Sequence, residues 1–316
     1  MRLPQRRSGK DSRRRRRLPD SRVTSSTSAG SVLDALGAAV DALNAAGVED
    51  PRFDAELLLS EASGRDRAWL AANPEADVPA ATARRFGEMV RRRLRREPVA
   101  YILGRKGFRR IDLAVDRRVL VPRPETELLV ELALELRPAT VLDVGTGSGA
   151  IALALADELP SCEVTATDTS TGALEVARVN AGRLGFADRV RFLEGTIPAA
   201  EDAEAEGDGA GFDLIVANLP YVAERDWAAL QPEVTEWEPR EALLAGPDGL
   251  DAIRAFLVEC VTTLRRYPVQ TPSALGLEVG DGQAGAVAGL LHEAGFGEIE
   301  TRRDLAGIER VVWGKR

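Results

Sequence analysis

The stretch Asp143-Val-Gly-Thr-Gly-Ser-Gly149 decides the fold. It follows the apolar run Thr140–Val144 and precedes a helical pattern beginning near Ala150, so three glycines stand where a strand turns into a helix. Glycine lets the main chain approach a ligand closely and take conformations closed to other residues. The helix start beyond it offers unpaired N–H groups. Nineteen residues after Gly149, Asp168 ends the next expected strand, where a carboxylate can accept hydrogen bonds from two ribose hydroxyls. A nucleotide-like cofactor at the carboxyl ends of a parallel sheet is the expectation. Gly145-x-Gly-x-x-Ala150 fits a dinucleotide as well as S-adenosylmethionine. Asp143 favours the second: at the strand tip it is expected to pair with an ammonium, and it would repel a pyrophosphate.

Working outward, strands alternate with helices. Strands are expected at Glu163–Ala166, Val190–Leu193, Phe212–Ala217 and Ala274–Val279, with helices over 150–158, 171–184, 248–265 and 283–294. Glu298–Thr301 and Arg310–Trp313 are expected to close the sheet as a hairpin, and the acidic, Gly-rich Ala199–Gly211 to form a surface loop. This alternation implies an α/β fold with a doubly wound, mostly parallel sheet.

The strand expected to end at Ala217 leads into Asn218-Leu-Pro-Tyr221. Adjacent strand tips of such a sheet converge on one crevice, so this element belongs beside the glycine loop. A side-chain amide nitrogen is a poor nucleophile because its lone pair is delocalised. An enzyme that methylates one must hold the NH2 in line and give its N–H groups acceptors. The Asn218 side-chain oxygen and the Leu219 carbonyl suit that role, Pro220 fixes the turn, and Tyr221 can pack on a planar amide. Asn218 and Tyr221 are the candidate catalytic residues, and Asn218, Leu219, Pro220 and Tyr221 the candidate substrate contacts. The candidate cofactor contacts are Asp143, Gly145, Thr146, Gly147, Ser148, Gly149, Asp168 and Asn218.

Residues 31–104 read as a small helical region. Ser31 with Asp34 makes a capping-box start, Gly47 and Gly64 stop helices, and Asp50-Pro51 begins one. A further helix is expected over 79–96; its Arg91, Arg92, Arg93, Arg95 and Arg96 read as a solvated helix end. Over 105–122 the period changes. Ile111, Leu113 and Val115 alternate, Asp116-Arg117 turns, and Val119 and Val121 alternate again, the pattern of a hairpin linker before a catalytic domain at 123–316.

Composition excludes several classes. Hydrophobic residues make up 44% of the 316, enough for a substantial core, and no apolar run reaches the ~18 residues that span a membrane. Two cysteines and one histidine give no disulfide framework, and neither a metal centre nor a histidine-based triad is expected. A cytoplasmic location is expected by default. Residues 1–30 hold ten Lys+Arg and two Asp+Glu, against 32 and 48 in the remainder. The basic segment reads as a disordered tail, with a nucleic-acid or ribosome-binding arm as the functional alternative. The acidic body argues against a catalytic domain that grips a nucleic-acid backbone.

From about residue 31 to its end the chain resembles the release-factor glutamine N5-methyltransferase family. The resemblance lies in Pro98-Val-Ala-Tyr-Ile-Leu-Gly104, Val121-Pro-Arg-Pro-Glu-Thr-Glu127 and the glycine loop. It continues in Glu238-Pro-Arg-Glu-Ala-Leu243, Gly246-Pro-Asp-Gly-Leu250 and Leu277-Glu-Val-Gly280. It implies a class I S-adenosylmethionine-dependent methyltransferase domain and methylation of the glutamine in the Gly-Gly-Gln loop of peptide chain release factors. It also implies that the helical region helps recognise that protein. Leu219 stands where the family has a first proline, and Thr196-Ile197 where it more often has an acidic residue near the adenine. Asn-Leu-Pro-Tyr is also similar to the element of ribosomal RNA adenine dimethyltransferases. A glutamine methyltransferase of a large-subunit ribosomal protein and a nucleic-acid adenine N6-methyltransferase therefore stand as alternatives.

Overall fold

A computed structural model describes residues 28–198, 212–266 and 273–316. The Arg13–Arg17 run and the loop expected over 199–211 lie outside the described residues. The N-terminal region runs β1 (Ser28–Ser31), α1 (Val32–Ala45), α2 (Pro51–Ser63), α3 (Arg67–Ala72), β2 (Asp77–Pro79), α4 (Ala80–Leu94), α5 (Val99–Leu103). Ser31 caps α1 reciprocally: its hydroxyl accepts from the Asp34 N–H at 3.1 Å, and its own N–H donates to Asp34 Oδ2 at 3.0 Å. Asp50 stands at the N-cap of α2 but its side chain makes no capping bond. Leu36, Leu43, Leu58, Leu59, Leu70, Phe86 and Val90 bury the apolar stripes of these helices together. β1 pairs antiparallel with β2, so the last residues of the expected tail form a strand.

The hairpin lies earlier than its pattern suggests. β3 (Arg105–Phe108) and β4 (Ile111–Ala114) pair across a turn at Arg109-Arg110, with Arg109 at a φ of 50°. Asp116-Arg117 does turn, since the Val119 N–H reaches the Asp116 carbonyl at 3.1 Å, but no strand follows. Val115, Val119 and Val121 are buried in irregular chain against Tyr101, Ala173 and Val176. Alternating burial without a pairing neighbour imitates a strand's period.

The C-terminal half continues with α6 (Glu127–Leu136), β5 (Thr140–Val144), α7 (Ala150–Glu158), β6 (Glu163–Asp168), α8 (Thr171–Leu184) and β7 (Val190–Glu194). Then come β8 (Leu214–Ala217), α9 (Pro232–Thr235), α10 (Asp251–Arg266), β9 (Ala274–Glu278), α11 (Ala284–Glu293), β10 (Gly297–Arg303) and β11 (Glu309–Lys315). The sheet order is β10-β11-β9-β8-β5-β6-β7; the five from β9 to β7 are parallel and β11 and β10 add antiparallel pairings at one edge. Successive strand residues serve opposite faces: Val141, Leu214 and Val216 join the core under α6 and α7, while Leu142, Ile215 and Ala217 join the core under α10 and α11. The chain steps outward from β5 to β7 and returns to the other side with β8. That reversal places a crevice at the carboxyl ends of β5 and β8.

Of the arginines at the end of α4, Arg91 and Arg95 are exposed as expected, but Arg93 and Arg96 are not. Arg93 is 6% exposed; it donates to Asp54 at 2.7 Å and lies 2.6 Å from Glu233 of α9. Arg96 donates to both oxygens of Glu233, from Nε to Oε1 at 2.9 Å and from Nη2 to Oε2 at 2.5 Å. Burial by itself would raise the Glu233 carboxyl, but the bonds from Arg96 and Arg93 outweigh it and hold it below the usual range. A charge cluster thus ties the helical region to the C-terminal half, an arrangement that position on one helix cannot reveal.

Candidate active site

The crevice between β5 and β8 opens into a cleft with about 1070 Å³ of space free of protein atoms, part of it open solvent. Its floor is the glycine loop. Gly145 and Thr146 both donate their N–H groups to the Thr167 carbonyl at 2.9 Å, locking the loop to the tip of β6. Gly145 and Gly147 have φ of +74° and +56°, which L side chains rarely adopt. A Cβ on Gly147 would meet nothing within 4 Å, so the loop leaves room where a ligand would approach its backbone. Gly149 differs: a Cβ there would lie 2.9 Å from Leu153 Cδ1, so this glycine serves the packing of α7 and does not line the cleft. Ser148 does line it, and its carbonyl is held by Asn180 Nδ2 at 2.9 Å.

Asp168 lies in the cleft wall at the end of β6. Its Oδ2 accepts from the Gly147 N–H at 2.9 Å and its Oδ1 from the Ser170 N–H at 2.8 Å. Burial raises its carboxyl and these backbone bonds oppose the shift. A carboxylate has about four lone-pair sites, so two remain for a pair of hydroxyls. Gly195 and Thr196 line the same cleft, and the Thr196 carbonyl is pinned by the Thr167 hydroxyl at 2.7 Å.

Asp143 departs from its expected role. It is wholly buried and absent from the cleft wall. Its Oδ2 accepts from the Thr146 hydroxyl at 2.6 Å and the Ala152 N–H at 3.2 Å, so it fastens the loop to the first turn of α7 from beneath. Burial pushes this carboxyl up to about 7, against those two bonds. It lies beneath the loop it anchors, and its Oδ1 is buried with no hydrogen-bond partner among the described residues.

At the tip of β8, Asn218, Leu219 and Pro220 line the cleft, and Leu219 Cδ2 sits over Gly145. Asn218 Nδ2 donates to Thr126 Oγ1 at 3.0 Å. Tyr221 does not line the cleft; its hydroxyl turns back to Glu278 Oε1 at 3.2 Å, and its carbonyl is held by Gln283 Nε2 at 2.9 Å. Its phenol is pushed above its ordinary range by burial and by the Glu278 charge. Gly249 is required here, since a Cβ would lie 2.3 Å from the Tyr221 carbonyl. On the open side, buried Glu238 accepts from the Val121 N–H at 3.0 Å and pairs with Arg123. That bond clamps the Pro-Arg-Pro segment to the Glu-Pro-Arg segment, and Pro122, Arg123, Pro239 and Glu241 close the cleft.

Residues 34–104 match the model of the PrmC N-terminal domain, and residues 141–237 that of a methyltransferase domain. The release factor glutamine methyltransferase of Geobacter sulfurreducens is 43% identical over 85% of this chain and 91% of its own. The enzyme of the same name from Caulobacter vibrioides is 38% identical over 90% and 96%. That from Bordetella pertussis is 43% identical over 84% and 94%. The chain belongs to the release factor glutamine methyltransferase family.

Within this family's fold, the cleft fits S-adenosylmethionine on its own evidence: the side-chain-free backbone at Gly147 and the acceptor pair left on Asp168 suit an adenosine with its ribose diol. Sequence reading missed Thr126, Glu238, Glu278 and Gln283, although all but Gln283 stand within motifs that carry the family resemblance. Each acts on a residue distant in sequence, and only the folded arrangement reveals it. Among the described residues no helix is long and apolar enough to cross a membrane.

Proposed function

We propose that the chain transfers the methyl group of S-adenosylmethionine to the side-chain amide nitrogen of the glutamine in the Gly-Gly-Gln loop of peptide chain release factors. The observation that supports it most is the identity, near 40% over most of both chains, to relatives named for that substrate. Asn218 at the cleft wall is its chemical counterpart. When bound, the cofactor supplies an electrophilic sulfonium methyl. The chain's own contribution is to hold and orient. Asn218 Oδ1 and the Leu219 carbonyl accept from the substrate N–H groups, stabilising positive charge as it develops on nitrogen. Pro220 stiffens the turn and Tyr221 supports it from behind through Glu278. The glycine-loop backbone from Gly145 to Ser148 and the Asp168 carboxylate hold the cofactor, with Asp143 bracing that loop from below and Gly149 closing it onto α7.

In this reading residues 31–104 recognise the release factor, 105–122 link, and 123–316 catalyse. The setting is translation termination in the cytoplasm, and nucleic acid enters at most through the basic tail or the ribosome. The relatives' names do not favour a ribosomal-protein glutamine or a nucleic-acid adenine as substrate. Incubation with labelled S-adenosylmethionine and, separately, release factor, large-subunit ribosomal protein and ribosomal RNA tests this. Label is expected on release factor alone and lost when the Gly-Gly-Gln glutamine is replaced by alanine. Label confined to RNA would overturn the reading.

A further inference from the structure

Behind Asn218 lies a polar network whose direction matters more than its existence. An asparagine amide presents either an oxygen or an NH2, and nothing in its shape selects between them. Here Nδ2 donates to Thr126 Oγ1 at 3.0 Å, and Oδ1 has no protein donor among the described residues. A threonine hydroxyl carries one proton. Accepting from Asn218, it must send that proton elsewhere. The hydroxyl is one of the groups that lower the raised Glu278 carboxyl, which makes the two neighbours, and Glu278 Oε2 is buried with no hydrogen-bond partner of its own. Glu278 is wholly buried, and its Oε1 accepts from Tyr221 at 3.2 Å. An ionised carboxylate offers acceptors only.

We propose that Glu278 and Thr126 are positioning residues that set the orientation of the Asn218 amide, so that its oxygen and not its NH2 meets the substrate nitrogen. Glu278 draws the Thr126 proton; Thr126 is left an acceptor toward Asn218; Asn218 turns its NH2 inward and its oxygen toward the cleft. A donor in place of Glu278 reverses every step. The threonine proton swings to Asn218, the amide rotates by half a turn, and NH2 faces the N–H groups of the substrate. The relay explains why a fully buried acid is kept beneath an amide-holding turn, where an apolar side chain would avoid its desolvation.

The inference rests on the glutamine-methylation reading, so the test has one arm that needs turnover and one that does not. Both run at about pH 8.5, where Glu278, pushed by burial up to about 7, is ionised. In the kinetic arm, Glu278→Gln and Thr126→Val each lower kcat on release factor by about tenfold or more. KM and cofactor affinity by calorimetry stay within about threefold. Thr126→Ser restores kcat to within about threefold of wild type, and the double variant Thr126→Val/Glu278→Gln is no slower than the slower single. In the other arm, protein labelled with 15N-asparagine is observed without cofactor. The Asn218 side-chain NH2 signal, assigned by its loss in Asn218→Asp, exchanges faster with solvent in Thr126→Val and Glu278→Gln than in wild type. An NH2 signal unchanged in both variants overturns the proposal, as do undiminished kcat in Thr126→Val, failure of Thr126→Ser to rescue, or losses that add and track melting temperature. A wild-type protein that labels no release factor overturns the functional reading, and the exchange arm still judges the relay.

Discussion

The two ends of the cleft are built from different material. At the tip of β5 the site is main chain: two left-handed glycines, N–H groups tied to Thr167 and Asp168, and a carboxylate, Asp143, hidden below. At the tip of β8 it is side chain: the Asn218 amide, held by Thr126, with Tyr221 of the same turn bonded to buried Glu278. A backbone-built surface is sensitive to Cβ atoms and φ and indifferent to functional groups. A side-chain-built surface is the reverse, because isosteres fit it but change which atom donates. The chemistry follows the same division. In the proposed function, a cofactor common to many reactions rests on backbone, and the atom that selects the substrate is a side chain.

The sharpest way to break this contrast is Asn218→Ala. Turnover on release factor is expected to fall by about 10²–10³, roughly 3–4 kcal/mol of transition-state stabilisation, while cofactor affinity by calorimetry changes by no more than a few-fold. Equal loss of both would move Asn218 to the cofactor side. Gly147→Val probes the opposite end. Its φ of +56° and the space its side chain would take from a ligand should weaken cofactor binding by about tenfold or more. Unchanged affinity would mean that the loop does not meet the cofactor. Gly149→Ala should cost about 1–3 kcal/mol of stability, because its φ is +84° and a Cβ would press on Leu153. The assay is denaturant unfolding, and a variant as stable as wild type would remove the packing role.

The smallest effect is expected at Asp143. Its carboxyl, raised by burial to about 7, binds a proton more tightly folded than unfolded. Its contribution therefore favours the fold at low pH, declines as pH rises from about 4, and is gone above about 7. Asp143→Asn removes this decline while keeping an oxygen for Thr146 and Ala152. Relative to wild type, the variant should gain about 2 °C or more in melting temperature between pH 5 and pH 8. Glu278, raised likewise to about 7, keeps part of the pH dependence in both proteins. A constant difference between the two curves would show that Asp143 is ionised throughout.

Much of this was legible in advance, and for identifiable reasons. Strand-turn-helix transitions are local, so the glycine loop, Asp168 at a strand end, and Asn218 at the next useful strand tip could be read from periodicity. The Ser31–Asp34 cap was readable for the same reason. What failed involved partners far along the chain. Arg93 and Arg96 looked like a solvated end until Glu233, 137 residues beyond Arg96, proved to be their partner. Val119 and Val121 imitated a strand because burial alternates there without pairing. Asp143 sits where a ligand contact is expected, but sequence position does not say on which side of a loop a carboxylate emerges.

The sequence alone determined the alternation of strands and helices, the places where glycine breaks it, and the kind of cofactor and amide-holding element such breaks can carry. Those are consequences of local conformational preference and of a period that each element must keep to bury one face. Only the tertiary structure decided which carboxylate faces the cleft and which braces it, which arginines clasp the two halves, and which group of Asn218 is turned to Thr126. Each of these is a hydrogen bond or ion pair between residues brought together by burial. Its direction depends on what lies behind the partner, and no local stretch of chain contains that information.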